Sequence, residues 1–319
     1  MNLIDEAVII EVLGIRMYAF GLYTALGTLF SMIVLSMAGR RLSLKKGTVP
    51  LTALCSILCG IIVSRVSFCL LNRELGQLTP LAFWPELSGG GWSMFGLIGG
   101  VFTGGFISAR IARENTGIIL DTLSLSILPL IAAERIAENR IEDFDISRPL
   151  DNAFLSKSFL AVGLDEPCLA TYYVAAAVAI VLFIVLAFRF VRNKQAGNLT
   201  IAFLLLFGAA SIVTESLRYD RFLSISFVGL QQIAAALMLA LGVILAVKRS
   251  GRPRSVPAIA AIISLPLMTG IIIGLEFALD RTTWNKILIY ILMIFTVSIP
   301  ATLGLFMLKN AKKEIMQRE

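Results

Sequence analysis

Residues 171–188 read TYYVAAAVAIVLFIVLAF, eighteen positions without a charge, and Arg189, Arg192 and Lys194 follow at once. Crossing ~30 Å of hydrocarbon takes roughly 20 predominantly apolar residues, so this stretch reads as a membrane span. The basic residues behind it mark the flank held on the cytoplasmic side. The composition of the whole chain agrees. Of 319 residues, 57% are hydrophobic and 15% are charged, whereas a soluble globular chain carries roughly 25% charge. Soluble-enzyme classes are thereby excluded. The chain contains no His, which removes any mechanism that needs an imidazole base or a His-ligated metal.

Outward from residues 171–190, eight further apolar runs lie at about 17–38, 50–71, 92–112, 117–133, 198–217, 222–247, 256–279 and 286–308. The third is Gly-rich and the fourth is short, so re-entrant or tilted segments are the alternatives there. The loops alternate in charge. Arg40, Arg41, Lys45, Lys46, Arg110, Arg113, Arg189, Arg192, Lys194, Lys248, Arg249, Arg252, Arg254, Lys309, Lys312, Lys313 and Arg318 fall on one side, with Glu114, Glu314 and Glu319. The other side is predominantly acidic. Lys/Arg excess marks the cytoplasm, which predicts an external N-terminus, an internal C-terminus and an odd number of spans. The net charge of +7 is then a topology signal with added attraction to anionic lipid, and no nucleic-acid partner is needed to explain it. Met1–Arg16 lacks the basic start and small-residue cleavage site of a signal peptide, so the first span is expected to direct insertion.

The polar features are few. Cys55 and Cys59 share a helix face at i,i+4, and Cys69 lies in the same run. Cys168 alone is external, so these read as small packing residues rather than a disulfide framework. Gly96, Gly100 and Gly104 form a GxxxGxxxG stripe with Gly99 and Gly105 beside it, a pattern that permits close approach of a helix or a lipid. The segment 134–170 is the one long polar loop; it reads either as a solvated external face or as a functional element. Arg65, Asp121, Glu215 and Arg218 fall within or at the ends of spans, where a charge costs about 2.5–3.5 kcal/mol on insertion scales and is therefore functional or paired. Glu215 and Arg218, at i,i+3, are spaced to neutralise each other.

Taken in order, these residues resemble a family, the prolipoprotein diacylglyceryl transferases. Phe20-Gly21-Leu22-Tyr23 through Gly27 is similar to the family's Y-G-L-x-Y-x-x-G, and Arg65 falls where the second span carries its Arg. Ser93-Met94-Phe95-Gly96-Leu97-Ile98-Gly99-Gly100 resembles S-F-H-G-G-L-I-G. Asp121 stands fourteen residues before Arg135, and Arg135 through Glu138 to Asp143 lies over R-x-x-N-F-x-N-x-E. Phe207-Gly208 through Ser211, Glu215 and Arg218 is similar to the sixth-span Y-G-x-x-R-x-x-x-E-x-x-R, and Gln232 matches a Gln at the start of the seventh span. The departures are chemical. The family's His is Phe95, two of its Tyr are Phe20 and Phe207, its sixth-span Arg is Ser211, its signature Asn residues are Glu138 and Ile141, and its Glu is Asp143.

The resemblance implies an all-α polytopic membrane protein: a seven-span core in residues 1–250, with two further spans and a basic tail in 251–319. It implies residence in a bacterial cytoplasmic membrane, a phosphatidylglycerol-like phospholipid as ligand, a prolipoprotein or lipidated protein as partner, and no cofactor or metal. By the same resemblance Arg135, Glu138 and Asp143 are the catalytic candidates. Arg135, Arg65, Arg218, Glu215, Ser211, Gly96, Gly99 and Gly100 are the lipid-binding candidates. Three functions stay open. One is a divergent transferase that moves a diacylglyceryl group to a cysteine, another a pseudoenzyme that holds lipid without turnover, and the third a transporter or assembly subunit. The last is disfavoured because no internal repeat is evident.

Overall fold

The computed structural model describes residues 8–12, 15–71, 92–140, 146–149, 160–162, 167–192, 195–218, 224–225, 228–282 and 284–316. Among the described residues there are nine helices long and apolar enough to cross a membrane. They are α1 (Ala19–Arg41), α2 (Thr48–Leu71), α3 (Met94–Ala112), α4 (Thr116–Ala137), α5 (Thr171–Arg192), α6 (Asn198–Ser216), α7 (Leu230–Ser250), α8 (Val256–Arg281) and α9 (Lys286–Met316). The fold is all-α and polytopic, because in hydrocarbon a helix satisfies its backbone within itself.

The third and fourth apolar runs are plain helices of 19 and 22 residues rather than re-entrant segments. Ser93 caps α3 by accepting from the Gly96 amide at 3.1 Å, and Asn115 caps α4 by accepting from the Gly117 amide at 2.9 Å. The chain turns between them through Arg113 at φ 52°, leaving room for only a three-residue connection. Three boundaries differ from the sequence reading by four residues or more, one of them the end of α9, at Met316 instead of 308. Helix α4 runs four residues past the expected end, to Ala137, so that Arg135 sits on its last turn instead of in a loop. Helix α7 begins at Leu230 instead of 222. Ahead of it, β6 (Ser224–Ile225) pairs antiparallel with β7 (Val228–Gly229). The polar loop likewise contains structure: β3 (Ile146–Pro149), β4 (Ala161–Val162) and β5 (Cys168–Ala170) form an antiparallel sheet in the order β3-β5-β4. Before α1, β1 (Val8–Val12) pairs with β2 (Ile15–Tyr18).

The chain forms two compact units. The first comprises Met1–Val185 with Arg218–Asp220. Within it α2 packs on α3 and α1 on α4. The glycine stripe is the α2–α3 seam: a Cβ on Gly96 would stand 2.8 Å from Ser64 Cα, and one on Gly100 or Gly104 would run into the Cys59 or Cys55 carbonyl. Backbones that close bring polar side chains into register across the seam, with Thr52 Oγ1 and Ser108 Oγ at 3.0 Å and Ser56 Oγ donating to the Val101 carbonyl at 3.1 Å. The turns at one end are pinned by Lys45, whose amide donates to Glu114 Oε1 at 3.0 Å and whose Nζ donates to the Arg113 carbonyl at 2.8 Å.

The second unit comprises Leu186–Leu217 and Arg221–Glu319. Helix α6 is buried along most of its length, packed between α7 and α9. Gly208 faces the Ala235 carbonyl and the Leu239 backbone, and Gly242 faces Leu204 and Leu205, so α6 and α7 approach closely at two points. The two C-terminal spans pair with each other and pack onto α7; α9 also covers α6.

Candidate functional site

The first unit holds a buried charge cluster at the C-terminal end of α4. Arg135 and Glu138 are three residues apart on continuous helical turns, so their side chains share a face. Arg135 Nη1 donates to Glu138 Oε1 at 2.7 Å, and Arg218 Nη2 lies 3.7 Å from that same oxygen. The second guanidinium nitrogen of Arg135, Nη2, donates to Met94 Sδ at 3.1 Å, which ties the cluster to the first turn of α3. Arg135 is 4% exposed and Glu138 7% exposed. Two guanidinium groups therefore converge on one carboxylate oxygen in a setting where water screens little. The planar fork of Arg suits an oxyanion, and a phosphate oxygen presents the same acceptor chemistry as that carboxylate.

The other candidates in this unit lie on α2, on α3 and further along α4. Arg65 is buried on α2, with its guanidinium 5.7 Å from the centroid of the Trp92 ring, a cation–π contact. Beside it the Ser64 hydroxyl donates to the Ser93 carbonyl at 2.8 Å, joining α2 to the cap of α3. Asp121 is buried on α4, but fourteen residues of helix place it about 21 Å along the axis from Arg135. Gly96 and Gly100 are occupied by the α2 backbone, whereas Gly99 points to open space. Phe95, at the family's His position, and Phe20 are each partly buried. Asp143 lies outside the described residues.

In the second unit Ser211 and Glu215 are buried on α6. Phe207 is buried too and stacks on Phe203 with ring centroids 5.2 Å apart, so it is part of the helix core. Gln232, at the start of α7, donates from Nε2 to Glu276 Oε1 at 2.7 Å and to the Ile212 carbonyl at 3.3 Å. Glu276 is fully buried on α8 and was missed by the reading of the sequence. The available signal was a carboxylate inside an apolar run; its nearness to Asp280 and Arg281 disguised it as a span end. Ser216 Oγ donates to Met293 Sδ at 3.4 Å and Tyr290 donates to the Ser216 carbonyl at 3.4 Å, so α9 is hydrogen-bonded to the end of α6.

Comparison with known proteins agrees with the motif reading. A family model described as prolipoprotein diacylglyceryl transferase matches residues 7–248. No curated protein matches the chain. The matched span takes in α1 to α6, all but the last two residues of α7 and the whole Arg135 segment, and stops short of α8 and α9. The chain therefore belongs to the prolipoprotein diacylglyceryl transferase family.

Proposed function

We propose that this membrane protein binds a phosphatidylglycerol-type lipid through Arg135 and Arg218 and transfers its diacylglyceryl group to the cysteine of a prolipoprotein. The Lys/Arg distribution supports an external N-terminus and an internal C-terminus, and in that orientation the Arg135 end of α4 faces outward; the family supports a bacterial cytoplasmic membrane. The observation that carries the reading is the convergence of the Arg135 and Arg218 guanidinium groups on a single buried oxygen. A lone cation would suffice to retain an anionic headgroup. Two are suited to a phosphate that gains charge as it departs.

In the transfer, the acceptor thiol loses its proton and its sulfur forms a bond to the terminal glyceryl carbon of the lipid. The bond from that carbon to the phosphate oxygen breaks, and glycerol phosphate leaves with the electron pair. Donors aimed at the leaving oxygen are worth about 3–4 kcal/mol each when well placed, and holding both reactants in a lipid-facing site supplies the proximity term. Free Cys has a pKa of about 8.5, so a base is needed. The two signature carboxylates, Glu138 and Asp143, are the bases of this reading. Arg65 and Gly99 are the further lipid contacts in this reading.

The alternative is a pseudoenzyme that holds phospholipid or a lipidated partner without turnover. Phe95, Phe207 and Ser211 in place of polar family residues favour it, because each removes a donor or a charge from the reaction. Purified protein given labelled phosphatidylglycerol and a lipobox peptide separates the two. Transfer to the peptide that is lost in Asp143→Asn supports the enzyme, whereas tight retention of labelled lipid without any transfer supports the pseudoenzyme. Absence of both retention and transfer overturns the proposal.

A further inference from the structure

The charge cluster has an internal anion where the family signature has a neutral amide. Position 138 corresponds to the Asn of R-x-x-N and is Glu in this chain. Its carboxylate is received by Arg135 at 2.7 Å, with Arg218 at 3.7 Å from the same oxygen. A carboxylate oxygen and a phosphate oxygen compete for the same guanidinium edge, since both accept charge-assisted hydrogen bonds in the plane of the fork. The Glu138 side chain is 9% exposed and that of Arg135 5%, so the pair is largely shielded from water. A guanidinium deprived of its anion in such a place is strongly disfavoured until another anion replaces it.

We propose that Glu138 is a built-in counter-ion standing in the place of the lipid phosphate, and that headgroup binding proceeds by exchange of this carboxylate for the phosphodiester. The inference deepens the function proposed above and rests on Arg135 being the headgroup contact. Its consequence is a threshold. The site favours ligands whose phosphate outcompetes a tethered carboxylate, and it keeps its two arginines compensated when no lipid is bound. Lipids that carry acyl chains but no phosphate gain nothing from the exchange.

The test uses the full chain, solubilised with phosphatidylglycerol present and then exchanged into lipid-free detergent. Thermal unfolding and lipid titration are followed for wild type, Glu138→Gln, Glu138→Asn and Arg135→Ala. The probes are dioleoylphosphatidylglycerol, dioleoylglycerol as the phosphate-free control, and soluble glycerol phosphate. The expected result has two parts. Without lipid, Glu138→Gln unfolds at a lower temperature than wild type, and phosphatidylglycerol restores it while dioleoylglycerol does not. The variant also binds phosphatidylglycerol about tenfold or more tightly than wild type, because no counter-ion is displaced. An equal gain with glycerol phosphate still supports the exchange but assigns the site to a free phosphate ester. If neutral residues at 138 leave phosphatidylglycerol affinity unchanged or lower it, Glu138 is a scaffold that holds the arginines and the proposal is overturned. It is equally overturned if neither variant folds even with phosphatidylglycerol present, since the phosphate then does not replace the carboxylate. Loss of lipid in Arg135→Ala without a gain in Glu138→Gln removes the counter-ion alone; an Arg135→Ala variant that binds like wild type removes the headgroup assignment beneath it.

Discussion

Arg135 and Glu138 meet because three residues on helical turns put two side chains on one face, and because α4 continues to Ala137 to carry the first of them. Arg218 joins them from a distant part of the sequence. Arg135→Ala is expected to reduce co-purified anionic phospholipid several-fold, and more than Arg148→Ala, a change in β3; lipid mass spectrometry of the two purified variants checks this, and equal losses refute it. Glu276 makes the same point from the other unit. Its removal leaves the Gln232 Nε2 donor short of a partner in a buried setting, so Glu276→Ala should cost at least about 2 kcal/mol of stability. Glu276→Gln, which keeps the shape and an acceptor, should cost less. Chemical unfolding in detergent measures both. Arg135 was legible in the sequence through its motif and its place at the end of an apolar run. Glu276 was not, because position in a run says nothing about which helix face a carboxylate occupies or which amide it meets.

The helix pairs are set by small residues whose meaning depends on what stands opposite. Gly96, Gly100 and Gly104 read equally well as a lipid groove or a helix seam from spacing alone, and the structure makes them the α2–α3 seam. Gly99, one residue away in the chain, faces open space. Gly100→Leu therefore forces a side chain into the α2 backbone and should destabilise the protein by about 1–3 kcal/mol or more. Gly99→Leu should stay within roughly 0.5 kcal/mol of wild type. Comparing the unfolding temperatures of the two variants decides it, and similar losses would show that the seam is not what holds α2 to α3. The strands β1 to β7 escaped the sequence reading for a different reason. Segments of two to five residues are too short to establish a period against their neighbours.

For the molecule as a whole, the nine helices fall into two compact units, and α8 and α9 share one of them with α6 and α7. The sequence pattern separates residues 251–319 as an addition to a seven-span core. The packing makes them a wall: α9 lies on α6 and α7, and Glu276 of α8 holds Gln232 of α7. Ending the chain after Ser250 should therefore expose α6 and leave Gln232 without its carboxylate partner. The expected outcome is a truncated protein that fails to purify as a monodisperse species; a stable, monodisperse 1–250 fragment would contradict it. Orientation is a separate matter, argued from charge alone. A single reactive cysteine placed at position 151 in a cysteine-free background should react with an impermeant reagent added from outside, and labelling confined to the cytoplasmic side would invert the topology.

What the sequence determined by itself was the class of protein and the ladder of spans. Apolar length against bilayer thickness is a local property, and every helix can be read from its own residues. The family membership was likewise legible, because ordered motifs survive even where Phe95, Phe207 and Ser211 have replaced polar residues. Only the tertiary structure decided which of those residues meet. The partners of Glu138 are not legible in the sequence, and the structure brings Arg135 and Arg218 to one of its oxygens. Phe207 could line a cavity or a core until it was found stacked on Phe203. The physical reason is the same in each case: a side chain's chemistry is set by groups far away in the sequence, and a desolvated charge takes its role from the partner that the fold brings to it.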